Sequence, residues 1–130
     1  MGGASHRNQA MARRVLVVDD DPDILEALSE ILEAEGYDVQ RARNGREALQ
    51  RLAHGLPDLV LLDLMMPVMD GWEFARSLDP GARPPIIVLS ADRNVSAKAK
   101  EIGALGWLAK PFELSDLLAA VRSVMPVETP

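Results

Sequence analysis

The segment VLVVDDDPD at residues 15–23 joins four aliphatic residues directly to three consecutive carboxylates, a proline and a fourth acid. The short Val-rich run predicts a buried β-strand. Asp21 followed by Pro22 predicts the start of a helix, because an N-cap carboxylate accepts hydrogen bonds there and proline suits the first helical position. Adjacent like charges repel, and burying them without a counter-ion is costly. The segment therefore predicts a strand–loop–helix unit whose acidic loop requires a cation.

The same alternation of apolar runs and helical periodicity continues along the chain. The predicted strands are RVLVVD (14–19), YDVQRA (37–42), DLVLLD (58–63), PIIVLS (85–90) and GWLAK (106–110). Helices are predicted after each strand, beginning near residues 22, 45, 71, 95 and 114. Parallel strands need such crossover helices. We therefore predict an α/β fold, a doubly wound five-stranded parallel sheet in the flavodoxin-like order 2-1-3-4-5 with five helices.

Chain length and composition indicate one domain. The 130 residues are 48% apolar, which suffices for a single hydrophobic core. We expect the folded domain at residues 13–125, an N-terminal tail or cloning remnant at 1–12, and a C-terminal tail at 126–130. The sequence contains no cysteine, which excludes disulfides, thiol catalysis and zinc–thiolate sites.

The charge and hydropathy of the chain limit its partners. Twenty acids against fourteen bases give a net charge of −6, which argues against direct, sequence-independent binding to nucleic acid. No apolar stretch approaches the roughly 18 residues that span a bilayer, and residues 1–12 lack the apolar core of a signal peptide. The sequence therefore predicts a cytoplasmic protein with no membrane partner.

Polar residues end four predicted strands that are neighbours in the sheet. They are Asp19 and Asp20 on the first strand, Asp63 on the third, Ser90 on the fourth and Lys110 on the fifth. Any one of these residues, taken alone, would ordinarily cap a helix or face solvent. Together they lie where ligands bind in such sheets, beyond the carboxyl ends of the strands. Three carboxylates without histidine or cysteine suit Mg²⁺. An ammonium and a hydroxyl beside the ion suit a phosphoryl group, and a carboxylate can be its nucleophile.

From about Arg14 to Val124 the chain resembles the receiver domain of two-component response regulators. The matching motifs are VLVVDDDP (15–22), LLDLMMPVMDG (61–71), VLSA (88–91) and GWLAKPF (106–112). The resemblance implies that residues 13–125 form a receiver domain, standing alone or belonging to a larger protein. It also implies a phosphoryl donor, either a sensor histidine kinase or a histidine phosphotransfer protein.

The resemblance assigns the metal site and the phosphoacceptor. It makes Asp63 the phosphoacceptor and also part of the Mg²⁺ site, with Asp20 as a direct ligand and Asp19 as a ligand through water. The backbone carbonyl of Met65 would complete the metal site.

The resemblance also assigns the residues around the phosphoryl group. It makes Ser90 and Lys110 the groups that bind the phosphoryl oxygens, and it implies a cis peptide bond between Lys110 and Pro111. Trp107 stands where the family keeps an aromatic switch residue, usually Tyr or Phe. An effector, which the sequence does not identify, would bind the face formed by the fourth helix, fifth strand and fifth helix.

Three other interpretations remain for the acidic residues. A phosphatase with an aspartate nucleophile would need a second Asp two residues after Asp63, where the chain has Met65. An EF-hand loop beginning at Asp19 would need glycine at its sixth position, which is Ile24. A pseudo-receiver that binds partners without phosphorylation would be expected to lack some of the site residues, and all are present.

Overall fold

A computed structural model describes residues 13–66, 69–79, 81 and 83–125. The predicted tails at 1–12 and 126–130 lie outside the described residues. The strands are β1 (Arg14–Val18), β2 (Asp38–Ala42), β3 (Leu59–Asp63), β4 (Ile86–Ser90) and β5 (Gly106–Ala109). The helices are α1 (Pro22–Ala34), α2 (Gly45–Leu52), α3 (Gly71–Arg76), α4 (Val95–Ile102) and α5 (Leu114–Val124). Within the described segments, no helix is both long and apolar enough to cross a bilayer.

The five strands form one sheet in the order β2-β1-β3-β4-β5, and every neighbouring pair is parallel. The predicted fold class and strand order are therefore confirmed. All residues of β3 and β4 are buried, as central strands require, whereas β2 at the edge is partly exposed.

Each face of the sheet carries its own hydrophobic core, because successive strand residues point to opposite faces. On one face Leu62 and Val88 pack with α2, α3 and α4, whose largest buried side chain there is Phe74. On the other face Leu61 packs with α1 and α5, the latter through Leu117. Helices thus cover both faces of the sheet, and the polar side chains of the site lie at the ends of its strands.

Side-chain caps begin the first three helices just beyond the strand ends. Asp21 accepts a hydrogen bond from the backbone N–H of Asp23 at 2.9 Å, and Pro22 is the first residue of α1, as predicted. Asn44 caps α2 in the same way, and Asp70 caps α3. These caps fix where each loop at the carboxyl edge of the sheet ends.

Each of the five strands is one residue shorter than predicted: β1 and β5 end one residue earlier, and β2, β3 and β4 begin one residue later. Asp19 therefore follows β1 instead of ending it. The fifth strand ends at Ala109, so Lys110 follows the strand instead of ending it. The helix predicted from GWEFARSL (71–78) was two residues too long: α3 ends at Arg76, and the hydroxyl of Ser77 donates to the carbonyl of Phe74 at 2.7 Å.

Candidate functional site

The polar residues predicted at the strand ends lie together at the carboxyl edge of the sheet. Asp19 follows β1 and is fully buried, and Asp63 ends β3 with 4% of its surface exposed. Ser90 ends β4 and is fully buried. The backbone N–H of Lys110 donates to the carbonyl of Ser90 at 2.8 Å, which places the lysine beside the serine. Strand adjacency therefore brings these four residues into one site.

The ammonium of Lys110 lies between two buried carboxylates. Its Nζ is 2.8 Å from Asp19 Oδ2 and 3.5 Å from Asp63 Oδ2. Burial lowers the pKa of Lys110, but the hydrogen bond and charge of Asp19 and the charge of Asp63 outweigh it and raise that pKa. The lysine is therefore cationic at neutral pH and is the counter-ion that the protein itself supplies.

Three carboxylates form a compact acidic cluster. Asp19, Asp20 and Asp63 each offer an oxygen within 4.8 Å of the others. Asp20 is exposed, so the cluster opens to solvent on one side. The ammonium of Lys110 does not neutralise all three carboxylates, so the cluster keeps an excess of negative charge. A set of ligands that are all oxygen atoms suits a hard divalent cation. The donor set thus fits a Mg²⁺-type ion.

Asp63 is the most perturbed carboxyl group of the site. The pKa of Asp63 is raised to about 6, mostly by burial and also by the negative charges of Asp19 and Asp20. The backbone N–H of Met65, which donates to Asp63 Oδ1 at 3.1 Å, and the ammonium of Lys110 oppose this rise. Additional positive charge at the site would therefore favour the ionised, nucleophilic form of Asp63.

Gly71 allows the loop after β3 to close against the strand end. A Cβ at Gly71 would lie 2.6 Å from the carbonyl oxygen of Asp63 and 2.8 Å from the Cα of Leu64. The N–H of Gly71 donates to the carbonyl of Leu64 at 3.1 Å. The absence of a side chain therefore lets the start of α3 support the residue that carries the central carboxylate.

The hydroxyl of Ser90 is held by the loop between β4 and α4. Its Oγ accepts a hydrogen bond from the backbone N–H of Asp92 at 3.1 Å. The carboxylate of Asp92 in turn accepts from the N–H of Asn94 at 2.7 Å and pairs with the ammonium of Lys98 on α4. Sequence analysis did not identify Asp92 or Lys98. An acid shortly before a predicted helix start was the available signal.

The remaining predicted site residues lie around the acidic cluster. Met65 is 62% exposed, and its backbone N–H donates to Asp63. The peptide bond between Lys110 and Pro111 is cis. Trp107 lies on β5, the edge strand, and is 46% exposed, so its indole faces outward in this structure.

Comparison with known protein sequences identifies relatives over nearly the whole chain. A family model described as the response regulator receiver domain matches residues 15–122. Response regulator MprA of Mycolicibacterium vanbaalenii is 45% identical over 123 residues, which are 92% of this chain and 53% of that protein. MprA of Mycobacterium tuberculosis is 43% identical over 118 residues, 88% of this chain and 51% of that protein. The chain thus spans about half the length of the curated relatives it matches.

Solved structures show the same fold. The chemotaxis response regulator CheY4 of Vibrio cholerae superposes with a TM-score of 0.80 at 35% identity, covering 88% of this chain and all (100%) of CheY4. The response regulator TrrA of Thermotoga maritima, in complex with Mg²⁺ and BeF, gives a TM-score of 0.78 at 36% identity, covering 87% and 99% of the two chains. The chain therefore belongs to the receiver domain family of two-component response regulators, as its motifs indicate.

Proposed function

We propose that Asp63 accepts a phosphoryl group from a phosphohistidine of a sensor histidine kinase or a histidine phosphotransfer protein. The observation that carries this proposal is a buried carboxylate at the end of a central strand, with a lysine ammonium 3.5 Å away and two further carboxylates beside it. A pseudo-receiver is not favoured, because a partner-binding surface has no need of this costly buried cluster.

The transfer would occur by attack of a carboxylate oxygen of Asp63 on phosphorus. The new O–P bond forms as the P–N bond breaks, and the electron pair of that bond stays on the imidazole nitrogen. The other ring nitrogen carries the proton that keeps the departing imidazole neutral. Lys110 and the hydroxyl of Ser90 would donate hydrogen bonds to the phosphoryl oxygens, which stabilises the charge on the transferred group.

Mg²⁺ is the cofactor that best fits the acidic cluster. Asp19, Asp20, Asp63 and the backbone carbonyl of Met65 would hold it, since these are hard oxygen donors. The ion would supply charge neutralisation and Lewis-acid polarisation of phosphoryl oxygen. The domain would promote only its own phosphorylation and dephosphorylation, so it would be a phosphoacceptor and not an enzyme with external turnover.

We further propose that phosphorylation alters the face formed by α4, β5 and α5, where an effector protein would bind. Trp107 lies on this face, and a buried indole N–H would need a partner. The indole would therefore stay outward, and the loop at 91–96 would carry most of the change. A large blue shift of Trp107 fluorescence in a Trp72→Phe variant on adding beryllofluoride would contradict this.

Family membership also supports a cytoplasmic location.

The proposal is tested by intact-mass analysis after incubation with acetyl phosphate. With Mg²⁺ we expect one added phosphoryl group, and we expect none with EDTA or in Asp63→Asn. Asp116→Asn, which changes an exposed acid on α5, is the matched control and should be phosphorylated like the unaltered protein. Equal phosphorylation of Asp63→Asn would show that the phosphoacceptor has been assigned wrongly.

A further inference from the structure

We propose that the ion pair between Asp92 and Lys98, here called the Asp92–Lys98 latch, holds the start of α4 and the hydroxyl of Ser90 in the unphosphorylated arrangement. The proposal rests on the proposed function of Asp63, because it concerns how the site communicates with α4. It assigns to this pair a restraining role within the domain and not a role in the chemistry of transfer.

The first observation is that Asp92 joins three structural elements at once. Its N–H donates to Ser90 Oγ at 3.1 Å, and its Oδ1 accepts from the N–H of Asn94 at 2.7 Å. Its Oδ2 pairs with the ammonium of Lys98. The side chain of Lys98 is 27% exposed, and that of Asp92 is 28% exposed. An ion pair fixed at this depth is less screened than a fully exposed one. The position of the serine hydroxyl is therefore tied to the position of a helix residue.

The second observation is that α4 begins without a cap of its own. Asn94 stands at the N-cap but makes no side-chain capping bond, and the first turn contains no acidic residue. By contrast, Asp21, Asn44 and Asp70 cap α1, α2 and α3 through their side chains, whereas Glu113 at the start of α5 makes no such bond. The carboxylate of Asp92 is therefore the negative group that stabilises the start of α4.

The third observation is that the opposite end of α4 is anchored. The guanidinium of Arg83 donates to the carbonyl of Ile102, the last residue of α4, and to the carbonyl of Ala75 in α3 at 3.0 Å. A cation at the carboxyl ends of two helices is favourable for both. Gly103, with φ of 83°, then ends α4. The last turn of α4 is thus tied to α3, whereas the latch lies at its first turn.

These contacts define how the latch would oppose phosphorylation. If Ser90 Oγ turns toward a phosphoryl group on Asp63, its bond to the Asp92 N–H must lengthen or Asp92 must follow. Because Lys98 is paired with Asp92, a movement of Asp92 with Ser90 would also displace Lys98 and the first turn of α4. Removing the latch would therefore loosen that turn and ease the turning of Ser90.

The test compares Lys98→Met with Lys98→Arg and Lys100→Met. Lys98→Arg keeps the cation, and Lys100 is an exposed lysine of the same helix that makes no ion pair within the described part of the chain. In the unphosphorylated protein, Lys98→Met should speed amide hydrogen exchange in the first turn of α4 by about two- to fivefold. It should also tighten beryllofluoride binding by about the same factor. Both control variants should behave like the unaltered protein.

The two readouts separate the latch from the proposed function. Equal exchange in Lys98→Met and Lys100→Met would overturn the latch, whatever happens at Asp63. Faster exchange with unchanged beryllofluoride affinity would overturn its opposition to phosphorylation. If neither the unaltered protein nor any variant binds beryllofluoride or accepts a phosphoryl group, the proposed function of Asp63 is wrong, and so is the proposed coupling to Ser90. The hydrogen-exchange measurement then still decides whether the latch holds the first turn of α4.

Discussion

Lys110 Nζ lies 2.8 Å from Asp19 Oδ2, and this ion pair joins the ends of β5 and β1 across 91 positions of the sequence. The carboxylate of Asp19 is fully buried, and the lysine side chain is 18% exposed. A buried carboxylate that also lies near Asp63 needs this cation for stability. The residue proposed to bind the phosphoryl group is thus also the counter-ion of the unphosphorylated site.

Lys110→Met should destabilise the protein, because it leaves Asp19 buried without its partner. Removing one member of a buried pair costs about 3 kcal/mol, and the loss should appear in urea unfolding at pH 7. In the double variant with Asp19→Asn, the uncompensated charge is gone, so part of the lost stability should return. A loss in Lys110→Met no larger than that in Lys100→Met would contradict the pairing.

Asp63→Asn should stabilise the metal-free protein, and the gain should depend on pH. Because the pKa of Asp63 is raised from 3.8 to about 6, its ionisation opposes folding. The penalty is absent below about pH 4, grows as pH rises, and is complete above about pH 7, where it reaches roughly 2–3 kcal/mol.

This pH dependence is measured as the difference in unfolding free energy between Asp63→Asn and the unaltered protein from pH 4 to pH 8. Asp116→Asn, which changes an exposed acid on α5, is measured in parallel as the control. A difference that shrinks toward pH 8 would show that the sign assigned to Asp63 is wrong.

Mg²⁺ should raise the melting temperature of the protein. A ligand that binds only the folded state adds about 1.4 kcal/mol at ten times its Kd. Asp20→Asn should reduce the Mg²⁺-induced shift and should slightly stabilise the metal-free protein, since it removes one of three adjacent carboxylates. Differential scanning calorimetry with Mg²⁺ and with EDTA measures both effects, and a melting temperature indifferent to Mg²⁺ would count against the metal site.

Gly71→Ala should impair both stability and phosphorylation. Its Cβ would lie 2.6 Å from the carbonyl oxygen of Asp63, so the backbone of β3 or α3 must shift, at a cost of about 1–3 kcal/mol. Gly106→Ala is the matched control, because a Cβ there meets nothing within 4 Å. Urea unfolding and the rate of phosphorylation by acetyl phosphate compare the two variants. Equal behaviour would mean that the close contact at Gly71 does not position Asp63.

The sequence was sufficient to predict the fold and the convergence of Asp19, Asp63, Ser90 and Lys110 at one edge of the sheet. The aliphatic runs fixed the strands, and the cap Asp21 with Pro22 fixed the start of α1. Because parallel strands end at one edge, the strand order alone predicts that Asp19, Asp63 and Lys110 meet. These features depend on local pattern and topology, which are visible in the sequence.

Other features of the site depend on side-chain direction, which the sequence pattern does not contain. The pairing of Lys110 with Asp19 joins strands that are not hydrogen-bonded neighbours. The Asp92–Lys98 latch spans six positions and begins outside the helix, so the usual helical spacings of three or four do not indicate it. Both pairs became visible only with the side chains in place.

The role of Asp63 is tested most directly by locating the acyl phosphate chemically. After acetyl phosphate and Mg²⁺ treatment, borohydride reduces an aspartyl phosphate to homoserine, and peptide mass spectrometry then identifies the converted residue. We expect homoserine at position 63 and not at Asp19 or Asp20, the other two carboxylates of the cluster. Conversion at either of those two positions, with residue 63 unchanged, would show that Asp63 is not the phosphoacceptor.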